Sequence, residues 1–379
     1  MNVKWRFIKD VGFENAMKDI ARETEEKMAY KLAVIGMGGM GFDHIRTIRN
    51  HIPEIVVIGG YDIREEANEL ARQKGLKVYE SPEALYSDKD IDIVVIATPN
   101  DVHKDYCIGS LNAGKHVICE KPVTMNAEEL EEIMEAEKKS GKIFTIHQNR
   151  RWDADYLTIK KILADGILKN PFTIKTSVHG SRMLFGWRAF KPNGGGLLLD
   201  WGVHLIDQLL DLIPQKVVSV YGHLHQVSKG EVDDCLLVNL RFESGLLAIV
   251  DISTNSFVPE PRWRMYCEDG TAIINPNWDL TGKIVKLADP SIVDWEDAVV
   301  YTLAGPTHTM LPRPKDTTAE IDLPEVDRGT WHYYYRNIVD VLDQKAELVV
   351  TSEQALRVMK IIDAVFVSDR TKAAITDVI

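Results

Sequence analysis

Two short stretches of the chain carry residues that could do acid–base work. In the first, Glu120, Lys121 and Pro122 follow directly on the apolar run His116, Val117, Ile118 and Cys119. A strong acid and a strong base therefore stand at the mouth of what reads as a buried strand, and a proline ends it. In the second, Asp200 and His204 have i, i+4 spacing, which on a helix places both side chains on one face within reach of a single ligand. Gly194, Gly195 and Gly196 precede them and let a loop fold tightly around a ligand or against a neighbouring domain. A strand-end ammonium can donate to a developing oxyanion, and partial burial lowers its pKa. Each residue also has a structural reading: Lys121 as a solvated charge paired with Glu120, Asp200 as a helix N-cap, His204 as a hydrogen-bonded core histidine.

A third signal lies upstream. Residues 31–35 (KLAVI) read as a strand and run into Gly36, Met37, Gly38, Gly39, Met40 and Gly41, a GxGxxG turn opening onto a helix. Asp62 stands at the end of the next strand, 21 residues beyond Gly41, and is followed by Ile63 and Arg64. These are the parts of a dinucleotide site: glycines admit the pyrophosphate, the helix N-terminus favours its charge, and the acid accepts hydrogen bonds from the adenosine ribose. A carboxylate at Asp62 repels a 2′-phosphate and favours NAD. Arg64 leaves NADP open, because a guanidinium there could hold that phosphate or could be a solvated first-turn residue. The strand at 91–97 ends in Thr98, Pro99 and Asn100, with His103 just inside the following helix. In a doubly wound sheet, ligands lie outside the carboxyl ends of the strands, so this turn faces the same cofactor cleft.

The elements that must hold these groups follow from hydrophobic patterning. Short apolar runs at 31–35, 55–61, 91–97, 116–119 and 142–146 alternate with helical stretches at 64–73, 101–113 and 126–139, which predicts a parallel sheet covered on both faces. Beyond residue 150 the segments at 171–180, 216–227, 235–244, 245–254 and 262–269 are rich in β-branched and aromatic residues, with a hairpin turn expected at 243–245. Trp331, Tyr334, Tyr335, Ile338, Val339 and Leu342 keep helical spacing, as do Leu356, Met359 and Ile362. These last two helices are expected to pack back over the body.

At 379 residues the chain is long enough for about two domains. The organisation expected is an N-terminal extension (1–30), a dinucleotide-binding domain (31–149) and a substrate-binding and oligomerisation domain (150–379). Phe13, Met17, Ile20 and Ala21 suggest an amphipathic helix in the extension. Hydrophobic residues make up 45% and charged residues 27%, a soluble globular mixture. The formal charge of −12, without a basic block, points away from nucleic acid and anionic membrane surfaces. Cys107, Cys119, Cys235 and Cys267 are scattered, as free thiols in a reducing cytosol would be. With no signal-like or membrane-length apolar run, the expected location is cytoplasmic.

Taken together, GMGGMG, Asp62, ATPNDVH, AGKHVICEKP and GGGLLLDWGVH resemble the glucose-fructose oxidoreductase, inositol dehydrogenase and rhizopine-catabolism family of NAD(P)-dependent enzymes, from about Lys31 nearly to the end. The resemblance implies an α/β Rossmann domain followed by an α+β domain with a large, open-faced, mostly antiparallel sheet, and a homodimer or homotetramer formed through that sheet. It implies hydride transfer between nicotinamide and a secondary hydroxyl or ketone of a sugar, glycoside or cyclitol. It assigns a catalytic role to Lys121, whose peptide bond to the following proline is often cis, makes His204 the proton acceptor, and has Asp200 orient or tune it. Glu120 becomes a neighbour of Lys121 in the cofactor site.

For substrate recognition the planar and aromatic groups Arg151, Tyr156, His179, Arg182, Trp187, Arg188 and Trp263 are candidates, and Asp207 extends the Asp200/His204 face. No metal site is expected, since no Cys, His and acidic residues have ligand spacing; His223 and His225 share a strand face but are too few. Two other functions fit the same residues. One is NAD-dependent cleavage of a glycoside by transient sugar oxidation and elimination; the other is a non-catalytic cofactor-binding regulator.

Overall fold

The computed structural model describes residues 29–276, 278–289, 301–306, 313–327 and 330–379; the amphipathic segment expected around Phe13 to Ala21 lies outside them. Six parallel strands, Tyr30–Ile35 (β1), Ile55–Tyr61 (β2), Lys77–Val78 (β3), Ile93–Ile96 (β4), His116–Cys119 (β5) and Phe144–Ile146 (β6), form one sheet in the order β3-β2-β1-β4-β5-β6. Helices Gly39–His51 (α1), Glu65–Gln73 (α2), Pro82–Ser87 (α3), His103–Asn112 (α4) and Ala127–Ser140 (α5) alternate with them. Leu32 to Ile35 and Ile93 to Ile96 are wholly buried because helices cover both faces, and each such aliphatic side chain contributes roughly 1.5–3 kcal/mol by leaving water. α5 starts where the sequence supplies a cap: the Asn126 side chain accepts the Glu129 N–H at 2.9 Å, and Gly141 closes the helix in the left-handed region.

The strand order reverses between β1 and β4, which opens a crevice at their carboxyl ends. Hydrogen bonding continues past each strand to that edge. Gly36 N–H donates to Tyr61 O (2.8 Å), Ala97 to Ile35 (2.8 Å), Glu120 to Ile96 (2.9 Å) and His147 to Cys119 (2.8 Å). The backbone at Gly36, Ala97, Glu120 and His147 is therefore fixed by its neighbour strand.

The second layer begins with Ala154–Ala164 (α6) and a nine-stranded sheet. Its strands include Pro171–His179 (β7), Val217–His225 (β8), Cys235–Phe242 (β9), Leu247–Ser253 (β10), Trp263–Cys267 (β11), Gly270–Ile274 (β12) and Gly282–Leu287 (β13). Tyr301–Thr302 (β14) and Gly305–Pro306 (β15) pair only with each other, while Thr318–Ile321 (β16) and Ile375–Thr376 (β17) form the two edges of the large sheet. The expected hairpin joins β9 to β10 through Gly245, whose φ of +90° favours glycine. The sheet is mostly antiparallel, as expected, with β7 and β10 running parallel, while β12, β13 and β16 add strands that short, glycine-broken segments concealed.

Helix Val203–Leu212 (α7) lies inside, with Val203 to Leu210 all buried. Helices His332–Leu342 (α8) and Ser352–Thr371 (α9) pack back over the body as their spacing predicted. Asp363 of α9 accepts the Ala127 N–H at 2.9 Å, and Ser368 Oγ of the same helix accepts the Gly222 N–H of β8 at 3.0 Å, so α9 ties the first layer to the large sheet. No helix among the described residues is long and apolar enough to cross a membrane.

Arg151 anchors the turn after β6 to this inner layer. Its guanidinium forks onto both Asp207 oxygens at 2.7 Å and reaches Val349 O and Gln354 Oε1 at 2.9 Å. Both partners are almost inaccessible, so an Arg151→Met chain leaves a buried carboxylate unpaired and loses about 3–5 kcal/mol of stability, read as an earlier denaturant midpoint. An unchanged midpoint would contradict this role.

Candidate active site

One cavity of about 980 Å³ runs along the carboxyl edge of the first sheet and continues under the second layer. Gly36, Gly38, Gly39, Met40, Asp62, Ile63 and Arg64 line one end; Thr98, Pro99, Asn100, Glu120 and Lys121 line the middle; Asp200, His204, Trp187 and Arg188 line the other. The three signals of the sequence, separated by up to 168 positions from Gly36 to His204, thus meet in one cleft.

The dinucleotide end is shaped by backbone. Gly36 has φ +93°, and a Cβ there would stand 2.6 Å from the Ala97 carbonyl. Gly41 does not line the cavity, because its Cα faces Gly36, where a Cβ would lie 2.1 Å from the carbonyl oxygen. It permits close packing instead. α1 has no side-chain cap and no acid in its first turn, so its N–H groups face the cleft free for an anion. The space above Gly39 is open, and Thr98 Oγ1 is buried without a partner. Helix end, open floor and unpaired hydroxyl fit a pyrophosphate nucleotide.

Asp62 is buried and is held by Arg64 through Nε to Oδ1 and Nη2 to Oδ2, both 3.0 Å. Hydrogen bonding to Asp62 raises the Arg64 pKa further. His103, expected beside the cofactor, is wholly buried below it, bonded to Thr98 O and Pro122 O at 2.9 Å each. It braces two strand-end loops from behind.

At the centre, Lys121 Nζ donates to Asp200 Oδ1 at 2.9 Å and to Asp200 O at 2.7 Å. The Lys121–Pro122 peptide bond is cis. Burial opposes ionisation of Asp200, but Lys121 and Arg188, whose Nε lies 3.2 Å away, hold its pKa below the ordinary value. Residues Leu198–Gly202 form a π-helical turn before α7, so Asp200 does not follow the α-helical geometry its spacing predicted. Its carboxylate turns to Lys121 and Arg188, and His204 instead pairs through Nδ1 with Gln148 Oε1 at 2.8 Å. Burial, then the charges of Lys121 and Arg150, push the His204 imidazole well below its ordinary pKa. It is a neutral imidazole on the cleft wall.

Glu120 sits behind Lys121 and accepts from two imidazoles on one oxygen: His147 Nδ1 at 2.7 Å and His44 Nε2 at 2.9 Å. Its other oxygen accepts the Lys121 N–H at 3.0 Å. Burial alone would raise the carboxyl pKa; the charge and hydrogen bond of His147, joined by His44, hold it well below the ordinary value. The ligand-type atoms of His44, Glu120 and His147 lie within 4.8 Å of one another, a grouping that sequence spacing did not disclose. Their short separations are those of hydrogen bonds.

The substrate candidates divide. Trp187 and Arg188 line the cavity, but Arg151, Tyr156, Asp207, His179, Arg182 and Trp263 do not. Arg151 and Asp207 form the buried fork described above, and Tyr156 donates to Asp211. Trp263 donates to Asp155 at 2.9 Å. His179 bonds Asp251 at 3.0 Å on the large sheet, and Arg182 is exposed. In their place the cavity wall offers Asn149, Arg150, Asn193, Trp201 and Trp331. The Arg150 guanidinium lies 4.1 Å over the Trp201 ring and bonds Asp153 at 2.8 Å. The end of β6 could have pointed to Gln148, Asn149 and Arg150 by the strand-end rule already applied to β1, β4 and β5.

Residues 30–148 match the model of the oxidoreductase family with an NAD-binding Rossmann fold, and 156–273 match the GFO/IDH/MocA C-terminal domain. The chain belongs to the Gfo/Idh/MocA family. Its amino-terminal sheet is accordingly an NAD(P)-binding Rossmann fold. This family member is 29% identical to the scyllo-inositol 2-dehydrogenase (NADP(+)) IolW of Bacillus subtilis, over 91% of this chain and 96% of that one. It is also 29% identical to inositol 2-dehydrogenase 2 of Saccharopolyspora erythraea, over 67% and 76%. The solved structure of an NAD-binding protein from Listeria innocua superposes with a TM-score of 0.81 at 40% identity, covering 92% of this chain and 97% of that one.

Because Arg64 occupies the Asp62 carboxylate, Arg64→Ala frees that group for the ribose hydroxyls and removes the cation beside it that could hold a 2′-phosphate. The ratio of NAD to NADP affinity, measured by fluorescence titration, should move at least about tenfold toward NAD. A ratio that stays put would remove Arg64 from cofactor selection.

Proposed function

We propose that this family member is an NAD-dependent oxidoreductase that moves a hydride between nicotinamide and a secondary hydroxyl or ketone of a sugar, glycoside or cyclitol. The observation that carries this reading is the meeting of Lys121, Asp200 and His204 in the same cleft as the Gly36–Gly41 turn and Asp62. The inositol dehydrogenases among its relatives support the substrate class.

Gly36, Gly38, Gly39 and the α1 N-terminus would hold the pyrophosphate, Asp62 or Arg64 the adenosine ribose, and Thr98 and Asn100 the inner half of the nucleotide. The bound nicotinamide supplies the hydride acceptor or donor. The chain's own residues handle the proton and the developing charge. Lys121, fixed by Asp200, donates to the substrate oxygen and steadies it as negative charge builds. His204 takes the hydroxyl proton in oxidation and returns it in reduction. Trp187, Trp201 and Trp331 offer apolar faces to ring C–H groups, and Asn149, Asn193 and Arg188 offer hydrogen bonds to hydroxyls.

NADH formation followed at 340 nm across sugars, glycosides, sugar acids and inositols identifies the substrate. On that substrate Lys121→Ala should lose about 10²–10⁴-fold in kcat while still binding NAD. Intact turnover would refute the mechanism. Release of an aglycone without net NADH would favour glycoside cleavage, and binding across the panel without turnover would favour a regulator.

The depressed His204 pKa also sets a pH dependence. In the folded protein the base stays unprotonated as pH falls through about 6.5, the ordinary imidazole value. The kcat/KM for oxidation should therefore hold level across that pH and decline only at more acidic values. A limb centred on the ordinary value would show that His204 is not the base or is not desolvated.

A further inference from the structure

His204 occupies the first turn of α7, where it lines the cavity yet is only 5% exposed. One ring nitrogen, Nδ1, is 2.8 Å from Gln148 Oε1. The other, Nε2, has no protein partner among the described residues and is not sealed off in the interior. Gln148 is itself 2% exposed, and its backbone is held on both sides. Its main-chain N–H donates to Ile146 O at 2.7 Å and its main-chain carbonyl accepts from Arg151 N–H at 3.1 Å. Gln208, one turn along α7 from His204, donates to Arg150 O at 2.6 Å, which clamps the turn carrying Gln148 onto the helix carrying His204.

This arrangement has a chemical consequence. A neutral imidazole owns one N–H, and an amide oxygen can only accept, so with Oε1 rather than the amide nitrogen turned to the ring the proton belongs on Nδ1 and the Nε2 lone pair is bare. Asp200, the residue to which the family resemblance gives this task, is committed to Lys121 and Arg188. The substitution of an amide for a carboxylate matters. A carboxylate against Nδ1 fixes the same tautomer but stabilises the imidazolium, whereas an amide fixes the tautomer without adding a charge.

We propose that Gln148 is a positioning residue that locks His204 in the Nδ1–H tautomer and aims its bare Nε2 at the substrate hydroxyl. This rests on the oxidoreductase function proposed above. In oxidation the hydroxyl O–H bond breaks and its proton passes to Nε2. The electron pair left on oxygen closes the carbonyl as the carbon-bound hydrogen departs with its two electrons to the bound nicotinamide. The groups facing His204 are Glu120 and Lys121 from the end of β5, His147 and Arg150 from the turn after β6, and Trp201 from its own approach. Gln148 is the neighbour bonded to the ring.

The test is ¹⁵N NMR of the protein labelled at histidine imidazoles, with the His204 signals assigned by their loss in His204→Gln. The expected spectrum has a protonated-type Nδ1 and a bare-type Nε2, unchanged between about pH 6 and 8. A bare Nδ1 with a protonated Nε2 would overturn the proposal. Gln148→Leu should lose that preference and lower kcat by about 10–10²-fold with KM for NAD unchanged. Gln148→Glu should keep the tautomer but bring the acid limb of kcat/KM up toward the ordinary imidazole range. An unmoved limb in Gln148→Glu, or an unaltered tautomer in folded Gln148→Leu, would each count against it. The NMR readout needs no substrate, so a correct tautomer in a protein that oxidises nothing would refute the proposed function and leave the lock standing.

Discussion

The contact between Lys121 and Asp200 is the constraint on which the site depends. It joins the end of a parallel strand in the first sheet to a π-helical turn in the second layer, with both side chains largely withdrawn from water at 14% and 19% exposure. Charges so placed are costly unless paired and hydrogen-bonded, and here Asp200 is satisfied twice, by Lys121 and by Arg188. Behind them Glu120 stays ionised because His44 and His147 both point N–H groups at it. The cleft therefore holds alternating charges whose places are set by strands and helix ends rather than by flexible loops. His204 is kept neutral between Lys121 and Arg150 as a result of the same arrangement.

The architecture brings these groups together for a simple geometric reason. β1, β4, β5 and β6 are neighbours in a parallel sheet, so their carboxyl ends open on one edge, and the reversal of strand order there leaves a crevice. α7 enters that crevice from above with nearly every side chain buried. α9, tied to Ala127, and α8, whose Tyr335 hydroxyl meets His44, hold the second layer against the first.

The parts of the site legible in the sequence are those whose signal is local. A glycine turn between strand and helix, an acid at the next strand end and a Glu-Lys-Pro run after a buried strand each declare their place, because strand polarity alone puts them at the cleft. The inner parts were not legible. Arg151 and Asp207 lie 56 positions apart, and nothing in their types distinguishes a sugar-binding pair from a buried structural fork; the same holds for Tyr156 and Trp263. Asp200 and His204 have helical spacing, but the π-turn between them redirects Asp200, a departure that composition does not reveal. His44, Glu120 and His147 join only when three strand and helix ends are in place, and Gln148 acquires meaning only once α7 is laid against it.

The proposed function requires this cleft to transfer a hydride between C4 of a nicotinamide and a secondary carbon. Deuterium tracing measures that transfer directly: the protein is incubated with NADH carrying deuterium at both C4 positions and the ketone of its identified substrate, and the product is examined by mass spectrometry. The prediction is one deuterium on the new carbinol carbon, abolished with Lys121→Ala. A product carrying only solvent hydrogen at that carbon would contradict it.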